Sequence, residues 1–262
     1  MTFININDNT LNFNIEGNGF PVVLIHGFSD DLNYWNFISN ELKKYFTVIT
    51  LDLRGHGKTP LGDKPITIEL LGDDIYKLLE KLYIDKCHVI GFSLGGNVAL
   101  ELTLNHPKTV KTLTLISSYA QADDNLKECF KGFNKELKKS FKNYFDEIIP
   151  YILPEDLCES NKEEFEKIIE TKEKTCKLDD LRQVLHAGKN FNRLNELSKI
   201  NCRTLIIASE DDELTLCDLS KKMHEQIPNS QLELLDYVKH NVFIGENIPK
   251  LNKLILEFLR NK

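Results

Sequence analysis

The sequence predicts an α/β fold in which helices flank a mostly parallel sheet of eight strands. From Pro21 onward, short apolar runs rich in β-branched residues alternate with amphipathic stretches of helical length, as in successive βαβ units. These runs are almost continuously apolar, which is typical of strands in a sheet that is covered on both faces. The chain has 262 residues, 41% of them hydrophobic, which is enough for one large core.

Two strands precede the parallel part of the sheet. Thr2–Asn7 and Thr10–Ile15 flank the turn-prone pair Asp8-Asn9 and are predicted to form an antiparallel hairpin at the edge of the sheet. The six other predicted strands are Val22–His26, Thr47–Leu51, Cys87–Gly91, Val110–Ile116, Thr204–Ala208 and Gln231–Leu235. The helices predicted around them are Leu32–Lys43, Ile66–Leu82, Leu94–Asn105, Leu219–Gln226 and one within Ile248–Leu259.

A long helical segment interrupts this pattern. From Asp123 to about Lys199 no convincing strand occurs, and apolar residues recur at helical intervals, as at Phe130, Phe133 and Leu137. The sheet pattern resumes afterwards, so this segment is predicted to be an insertion into a single fold. We therefore expect a core formed by residues 1–119 and 200–262, and a helical insertion of residues 120–199 that covers it as a cap.

Composition narrows the possible functions. The net charge of −7 gives the protein no overall attraction for a phosphate backbone, so nucleic acid is not an expected partner. The six cysteines are scattered, without metal-ligand spacing, and are predicted to be reduced. No apolar run is long enough to span a membrane, and the first residues lack the layout of a signal peptide. These features indicate a cytoplasmic location.

A serine lies at the junction between a predicted strand and a predicted helix, in Gly91-Phe92-Ser93-Leu94-Gly95. Glycines on both sides permit the cramped turn that lifts a serine hydroxyl clear of the backbone, and the helix N-terminus provides unpaired amides. The motif alone is weak, because a glycine-flanked serine can also simply cap a helix. A nucleophilic serine additionally needs a base, and that base needs a third group to orient it.

The order of motifs along the chain resembles that of the α/β-hydrolase family. His26-Gly27-Phe28 follows the first parallel strand, Asp52-Leu53-Arg54-Gly55-His56-Gly57 follows the next, and the Ser93 motif, an acidic cluster at 210–212 and His240 come later. The family uses this order of serine, acid and histidine. The resemblance implies the family's eight-stranded sheet, with Ser93 as the nucleophile. Related haloalkane dehalogenases and epoxide hydrolases have aspartate at the turn, so those activities are disfavoured.

The resemblance also points to the acid and the base. Asp212 follows a strand where the family has a Gly-x-x-Asp turn, although Ser209 replaces the glycine and Asp211 remains an alternative acid. His240 follows the last predicted strand, as the family's histidine does, with Lys239 in place of the usual glycine.

Backbone amides are expected to stabilise the negative charge that develops on the substrate. The resemblance assigns this oxyanion hole to the N–H groups of Phe28 and Leu94. Arg54 and His56 are expected to brace neighbouring loops rather than to contact substrate.

The function implied is that of a serine hydrolase that cleaves an ester, or a related acyl bond, of a small to medium, partly apolar substrate without a cofactor or metal. Aromatic residues of the insertion are candidates for the pocket, although most are expected to form the insertion's own core: Phe130, Phe133, Phe141, Tyr144 and Phe145. Two alternatives remain open. One is a carbon–carbon bond hydrolase or a menaquinone-pathway type of lyase with the same triad, and the other is a ligand-binding protein without catalysis.

Overall fold

The computed structural model describes residues 2–261 and contains one eight-stranded sheet. The strands are β1 (Thr2–Ile6), β2 (Asn9–Glu16), β3 (Phe20–Ile25), β4 (Phe46–Leu51), β5 (Cys87–Phe92), β6 (Val110–Ile116), β7 (Arg203–Ser209) and β8 (Ser230–Leu235). Their order across the sheet is β1-β2-β4-β3-β5-β6-β7-β8. Strands β3 to β8 are mutually parallel, and β1 and β2 form an antiparallel edge. The predicted fold class is confirmed.

Ten α-helices surround or extend the sheet in the described residues 2–261. They are α1 (Asn36–Leu42), α2 (Ile68–Lys81), α3 (Leu94–Asn105), α4 (Asp124–Leu137), α5 (Phe141–Ile152), α6 (Glu155–Ser160), α7 (Lys162–Thr175), α8 (Leu178–Asn190), α9 (Cys217–Gln226) and α10 (Asn247–Arg260). Short 3₁₀ helices cover Leu32–Trp35 and Leu194–Lys199. Helices α4 to α8 lie between β6 and β7 in the chain, within the segment predicted to be a helical insertion.

Strand β3 shows why these apolar runs are continuous. Its side chains alternate between the two faces of the sheet, so that Val23 and Ile25 pack into the core beneath α2, α3 and α9, and Val22 and Leu24 pack against α1 and α10. All four side chains are fully buried. A strand buried on both faces needs an apolar residue at every position, and this is the pattern in the sequence.

The strand order locates the crevice where a ligand is expected. The chain leaves β3 toward β4 on one side and later returns to β5 on the other side, so β3 and β5 are neighbours whose connections diverge. Such a switch point opens a crevice beyond the carboxyl ends of the two strands. The loop after β3 contains Phe28, and the turn after β5 contains Ser93.

Two local predictions are wrong by small amounts. The turn of the hairpin is at Asn7-Asp8 rather than Asp8-Asn9, because Asn7 adopts a left-handed conformation, with φ of 48°, and Asn9 already pairs with Ile6. The predicted helix Leu32–Lys43 begins as a 3₁₀ turn, where the Asp31 carboxylate accepts a hydrogen bond from the Asn33 amide.

Within residues 2–261, no helix is both long enough and apolar enough to cross a bilayer. All six cysteines are free; Cys87 and Cys217 are buried, and the other four are partly exposed.

Candidate active site

The turn between β5 and α3 holds Ser93 in a strained backbone conformation, with φ of 50° and ψ of −120°. For a residue other than glycine such a conformation costs about 1–3 kcal/mol. The flanking glycines are required by space, because a side chain on Gly91 would collide with the carbonyl of Gly95, and one on Gly95 would collide with the carbonyl of Ile25. The Ser93 amide donates to the Ile116 carbonyl, 2.8 Å away, which anchors the turn to β6.

Three of the predicted site residues form a continuous hydrogen-bonded chain. Ser93 Oγ lies 3.0 Å from His240 Nε2, and His240 Nδ1 lies 2.8 Å from Asp212 Oδ2. The side chains of His240 and Asp212 are almost completely buried. An ionised carboxylate can only accept hydrogen bonds, so Nδ1 carries the proton in this arrangement. Nε2 is then free to accept the proton of Ser93.

The Asp212 carboxylate is held by the residues that follow it. Oδ1 accepts the amide protons of Leu214 and Thr215, each at 2.9 Å, and Oδ2 accepts the Thr215 hydroxyl at 2.6 Å. Thr215 Oγ1 also lies 3.1 Å from His240 Nδ1, so it can accept a share of that N–H. Asp211, the alternative acid, turns away and accepts the amide of Tyr237.

The two departures from the family pattern connect the loops around this chain of hydrogen bonds. The Ser209 hydroxyl, fully buried, donates to the carbonyl of Val238 and accepts the amide of Asp211 at 3.1 Å. Lys239 Nζ donates to the carbonyl of Pro150 at 2.7 Å and to Glu213 at 3.2 Å. Ser209 therefore joins the loop of the acid to the loop of the histidine, and Lys239 joins the histidine loop to helix α5.

The predicted oxyanion donors lie in the wall of one cavity beside Ser93. Phe28 follows β3, and Leu94 is the first residue of α3. Among residues 2–261, neither backbone N–H has a hydrogen-bond acceptor. Helix α3 also directs its positive end toward this point. The two amides are thus available to a negative charge on a bound molecule.

Buried histidines support the loop that contains Phe28. His26 donates from Nδ1 to the Gly27 carbonyl and accepts the Leu53 amide at Nε2, at 2.7 and 3.0 Å. His56 lies edge-on to the ring of Phe28. Burial lowers the pKa of His26 to about 4 and that of His56 to about 3, so both are neutral at pH 7.

Arg54 is completely buried and does not line the cavity. Its guanidinium forms a paired interaction with Asp74 and also contacts Asp8, at 3.0 and 3.1 Å. The Arg54 guanidinium holds the pKa of Asp8 well below its usual range. These contacts connect the 52–57 loop to the N-terminal hairpin and to α2, as expected for a bracing residue.

The cavity beside Ser93 has a volume of about 260 Å³ and mostly apolar walls. Helices α4, α5, α7 and α8 supply apolar lining residues that include Phe130, Phe133, Phe141, Phe145, Phe165 and Leu185. The sequence predicts that most of the named aromatic residues form the insertion's own core rather than the lining; four of them are buried in the apolar core, but most also line the cavity. Of the five, only Tyr144 does not line the cavity, and it packs edge-on against Phe28.

Several residues of the site were not predicted from the sequence. Thr215 contacts Asp212 and His240, whereas Asp30, Tyr34, Lys172 and Asn241 line the cavity. For Thr215 a weak signal existed, since the hydroxyl of a threonine three residues after an aspartate can form a hydrogen bond with that aspartate's carboxylate.

Within residues 2–261, no group of three or more histidine, cysteine or acidic side chains is arranged to bind a metal ion.

A mostly parallel sheet of eight strands, with a serine at the strand-to-helix turn after β5, defines an α/β hydrolase. Residues 21–246 match the model of the alpha/beta hydrolase fold family. The chain belongs to this family.

The chain is similar in sequence and in structure to several proteins that are named as hydrolases. A protein named "Putative carbamate hydrolase RutD" from Caulobacter sp. (strain K31) is 28% identical over 242 residues, covering 91% of this chain and 90% of the relative. The structure of a thermophilic esterase from Thermogutta terrifontis has a TM-score of 0.83 at 25% identity, covering 96% of this chain and 93% of that one. The enol-lactonase from Burkholderia xenovorans LB400 superposes with a TM-score of 0.91 at 21% identity, covering 99% and 100% of the two chains.

Proposed function

We propose that this protein is a serine hydrolase that cleaves a carboxylic ester, or a related acyl bond, through an acyl-enzyme intermediate. The observation that carries the proposal is the hydrogen-bonded chain from Ser93 through His240 to Asp212, at 3.0 and 2.8 Å. Each contact lies within the range needed for proton transfer and for orienting the imidazole. The resemblance to the Thermogutta terrifontis esterase supports the ester as the bond that is cleaved.

In the proposed first step, Ser93 Oγ attacks the carbonyl carbon while His240 Nε2 takes the hydroxyl proton. The carbonyl oxygen becomes an anion, which the amides of Phe28 and Leu94 stabilise; one such donor typically contributes about 10²–10³ in rate. When the intermediate collapses, His240 returns the proton to the departing alcohol, and an acyl group remains on Ser93. Asp212 keeps the imidazole oriented and stabilises its positive charge throughout.

In the second step, water replaces the alcohol. His240 takes a proton from the water molecule, which attacks the acyl carbon, and the same two amides hold the new oxyanion. Collapse releases the carboxylic acid, and the proton returns to Ser93.

The cavity supports a small to medium, partly apolar substrate. Its volume of about 260 Å³ and its phenylalanine-rich wall favour a chain of a few carbons or a single ring over a long lipid. We further propose that residues 120–199 act as a cap over Ser93. The main-chain carbonyls of Tyr151 and Ile152 in the cap accept hydrogen bonds from the amides of His240 and Asn241, each at 3.2 Å. A movement of the cap would therefore also move the loop of the histidine.

A second candidate is a carbamate hydrolase, favoured by the similarity to the Caulobacter protein named "Putative carbamate hydrolase RutD". The same residues would serve, because a carbamate also presents a carbonyl carbon to Ser93 and leaves a carbamoyl group on it. The two substrates differ in the atom on the acyl side of the carbonyl, which is carbon in an ester and nitrogen in a carbamate. The apolar cavity favours the ester. Substrate comparison separates them.

The test combines a covalent probe with two substrate series. Wild type and Ser93→Ala are treated with a fluorophosphonate and then assayed on short aryl esters and on the matching aryl carbamates. We expect labelling and ester turnover in wild type only. Faster turnover of the carbamates would favour the second candidate, and equal activity of both proteins would exclude Ser93 as the nucleophile. A wild-type protein that is neither labelled nor active on any acyl substrate would contradict the proposal.

A further inference from the structure

The carboxyl group of Asp30 lies in the wall of the cavity without a partner of its own. Among residues 2–261, no hydrogen-bond donor or cation lies within bonding distance of it, although it is next to the loop that carries Phe28. The side chain folds back over that loop, because a Cβ atom on Gly27 would lie 3.3 Å from Asp30 Oδ2. The carboxyl group therefore lies close to the proposed oxyanion hole.

The neighbouring Asp31 shows the contrast. Its carboxylate accepts the Asn33 amide at 3.0 Å and pairs with Lys172 at 3.3 Å, so it holds the start of a helix and ties α7 to the loop. Lys172 also donates to the carbonyl of Ser29 at 2.9 Å. These contacts give Asp31 a structural role in holding the loop. No comparable contact accounts for Asp30.

The surroundings of Asp30 make an unpaired carboxylate unfavourable. Burial raises the pKa of Asp30 to about 7, with Asp31 acting in the same direction and the nearby Lys172 and His240 acting against it. The phenol groups of Tyr34 and Tyr144 also face this region, from the 3₁₀ turn and from α5. An asparagine or an apolar residue here would avoid the cost of desolvating a charge.

We propose that Asp30 is a substrate-binding residue that recognises a hydrogen-bond donor on the ester, a hydroxyl or an ammonium group close to the scissile carbonyl. This inference rests on the proposed function, because it specifies which esters the same site prefers. A donor that enters the apolar cavity loses its contacts with water, and the unpaired carboxyl group of Asp30 can replace one of them. Esters with that donor are therefore selected over esters of equal size without it.

The matched substrates are ethyl butyrate, ethyl 3-hydroxypropionate and β-alanine ethyl ester, whose acyl chains end in a methyl, a hydroxyl and an ammonium group. Propyl acetate and 2-hydroxyethyl acetate test a donor on the alcohol side. We expect wild type to prefer at least one donor ester, in kcat/KM, by about 10- to 100-fold over its methyl counterpart. The hydroxyl and ammonium members show which donor is recognised.

Two variants separate recognition from chemistry. In Asp30→Leu the ratio of donor-ester to methyl-ester kcat/KM should fall at least tenfold from its wild-type value. In Asp30→Asn an ammonium preference should fall at least tenfold, because the charge is lost, while a hydroxyl preference should survive in part. The ratio of donor to methyl kcat/KM is compared between wild type and each variant, because the intrinsic reactivity of the esters is the same with every protein and cancels in that comparison.

Stability provides an independent readout. Because the folded-state pKa of Asp30 is raised, folding opposes its ionisation, and stability is lost as pH rises toward 7. Asp30→Asn should therefore raise the urea midpoint at pH 8, whereas loss of a residue needed for structure would lower it. Asp31→Asn is the comparison variant, since it removes the charge that pairs with Lys172 and should lower the midpoint.

The possible failures can be told apart. If wild type is labelled by the fluorophosphonate and hydrolyses ethyl butyrate but shows no donor preference, the role of Asp30 is overturned and the proposed function stands. The same holds if the preference survives in Asp30→Leu, or if Asp30→Asn lowers the midpoint at pH 8. If wild type is neither labelled nor active on any ester, the proposed function fails, and the role of Asp30 fails with it.

Discussion

The hydroxyl of Ser209 donates a hydrogen bond to the main-chain carbonyl of Val238, and through it the loop of Asp212 is fixed to the loop of His240. Ser209 is the last residue of β7 and is fully buried, and Val238 lies three residues beyond the end of the neighbouring strand β8. The family has a glycine at the position of Ser209. The serine is thus a connection that glycine lacks, rather than a defect in the acid turn.

Ser209→Ala removes this connection and leaves the Val238 carbonyl without its donor. An unsatisfied buried carbonyl costs about 1–3 kcal/mol, so we expect a loss of this size in the free energy of unfolding. We also expect kcat/KM to fall, because His240 loses part of the support for its loop. Urea unfolding and ester kinetics check both effects. Unchanged stability together with unchanged kcat/KM would show that the connection has no role.

Lys239→Met removes the contacts with Pro150 and Glu213 while keeping the length of the side chain. Lys239 is partly exposed, so the loss of global stability should stay below about 1 kcal/mol. The local effect should be larger, since the nearby amides of His240 and Asn241 bond to α5. Hydrogen exchange of these two amides should accelerate. Lys253→Met on α10 is the control, because its ion pair with Glu257 is exposed.

Thr215→Val tests the support of the acid. Valine keeps the shape but loses the hydroxyl that donates to Asp212 Oδ2 at 2.6 Å. A hydrogen bond to a charged group contributes about 1.5–3 kcal/mol, so we expect kcat to fall by about tenfold or more, with little change in KM. A larger effect on KM than on kcat would place Thr215 in substrate binding instead.

Stability should fall as the pH decreases from 7 to 5. Burial lowers the pKa of His26 to about 4, of His56 to about 3 and of His88 to about 4. Below about pH 6.5 these histidines take up protons when unfolded but not when folded, which favours unfolding by about 1.4 kcal/mol per pH unit for each. Urea unfolding at pH 7, 6 and 5 measures the trend. Asp30 opposes this trend, because its folded-state pKa is raised to about 7 and the folded protein therefore binds a proton there that the unfolded chain does not.

His88→Gln is the matched variant for this trend, because it removes one of the three buried imidazoles outside the active site. The slope of unfolding free energy against pH should become shallower by the contribution of one histidine, about 1.4 kcal/mol per pH unit. A slope that is flat in wild type, or that is unchanged in the variant, would contradict neutral burial of these residues.

The elements that sequence reasoning predicted well are those set by local patterns. The apolar runs of β3 to β7 follow from burial on both faces, and the turn at Ser93 follows from glycines that leave no room for a side chain. The sequence also gives Ser93, Asp212 and His240 in the order the family uses, and the structure brings their side chains together.

The features that sequence reasoning missed are contacts between distant parts of the chain. Lys239 and Pro150 are 89 positions apart, and nothing local indicates that they meet. In the sequence Asp30 is one of two adjacent acids in a loop, and only the folded structure separates them, since Asp30 lines the cavity and Asp31 pairs with Lys172. The phenylalanines of α4 and α5 have helical spacing whether they form a core or line a pocket, so periodicity could not decide their role.

The proposed acyl group on Ser93 can be observed by rapid mixing with p-nitrophenyl acetate. We expect a burst of nitrophenol equal to the enzyme concentration and, after acid quenching, an acetyl group located on Ser93 by peptide mass spectrometry. Ser93→Ala should show neither. Steady turnover by Ser93→Ala, or an acetyl group found on another residue of the kinetically active protein, would show that Ser93 is not the nucleophile.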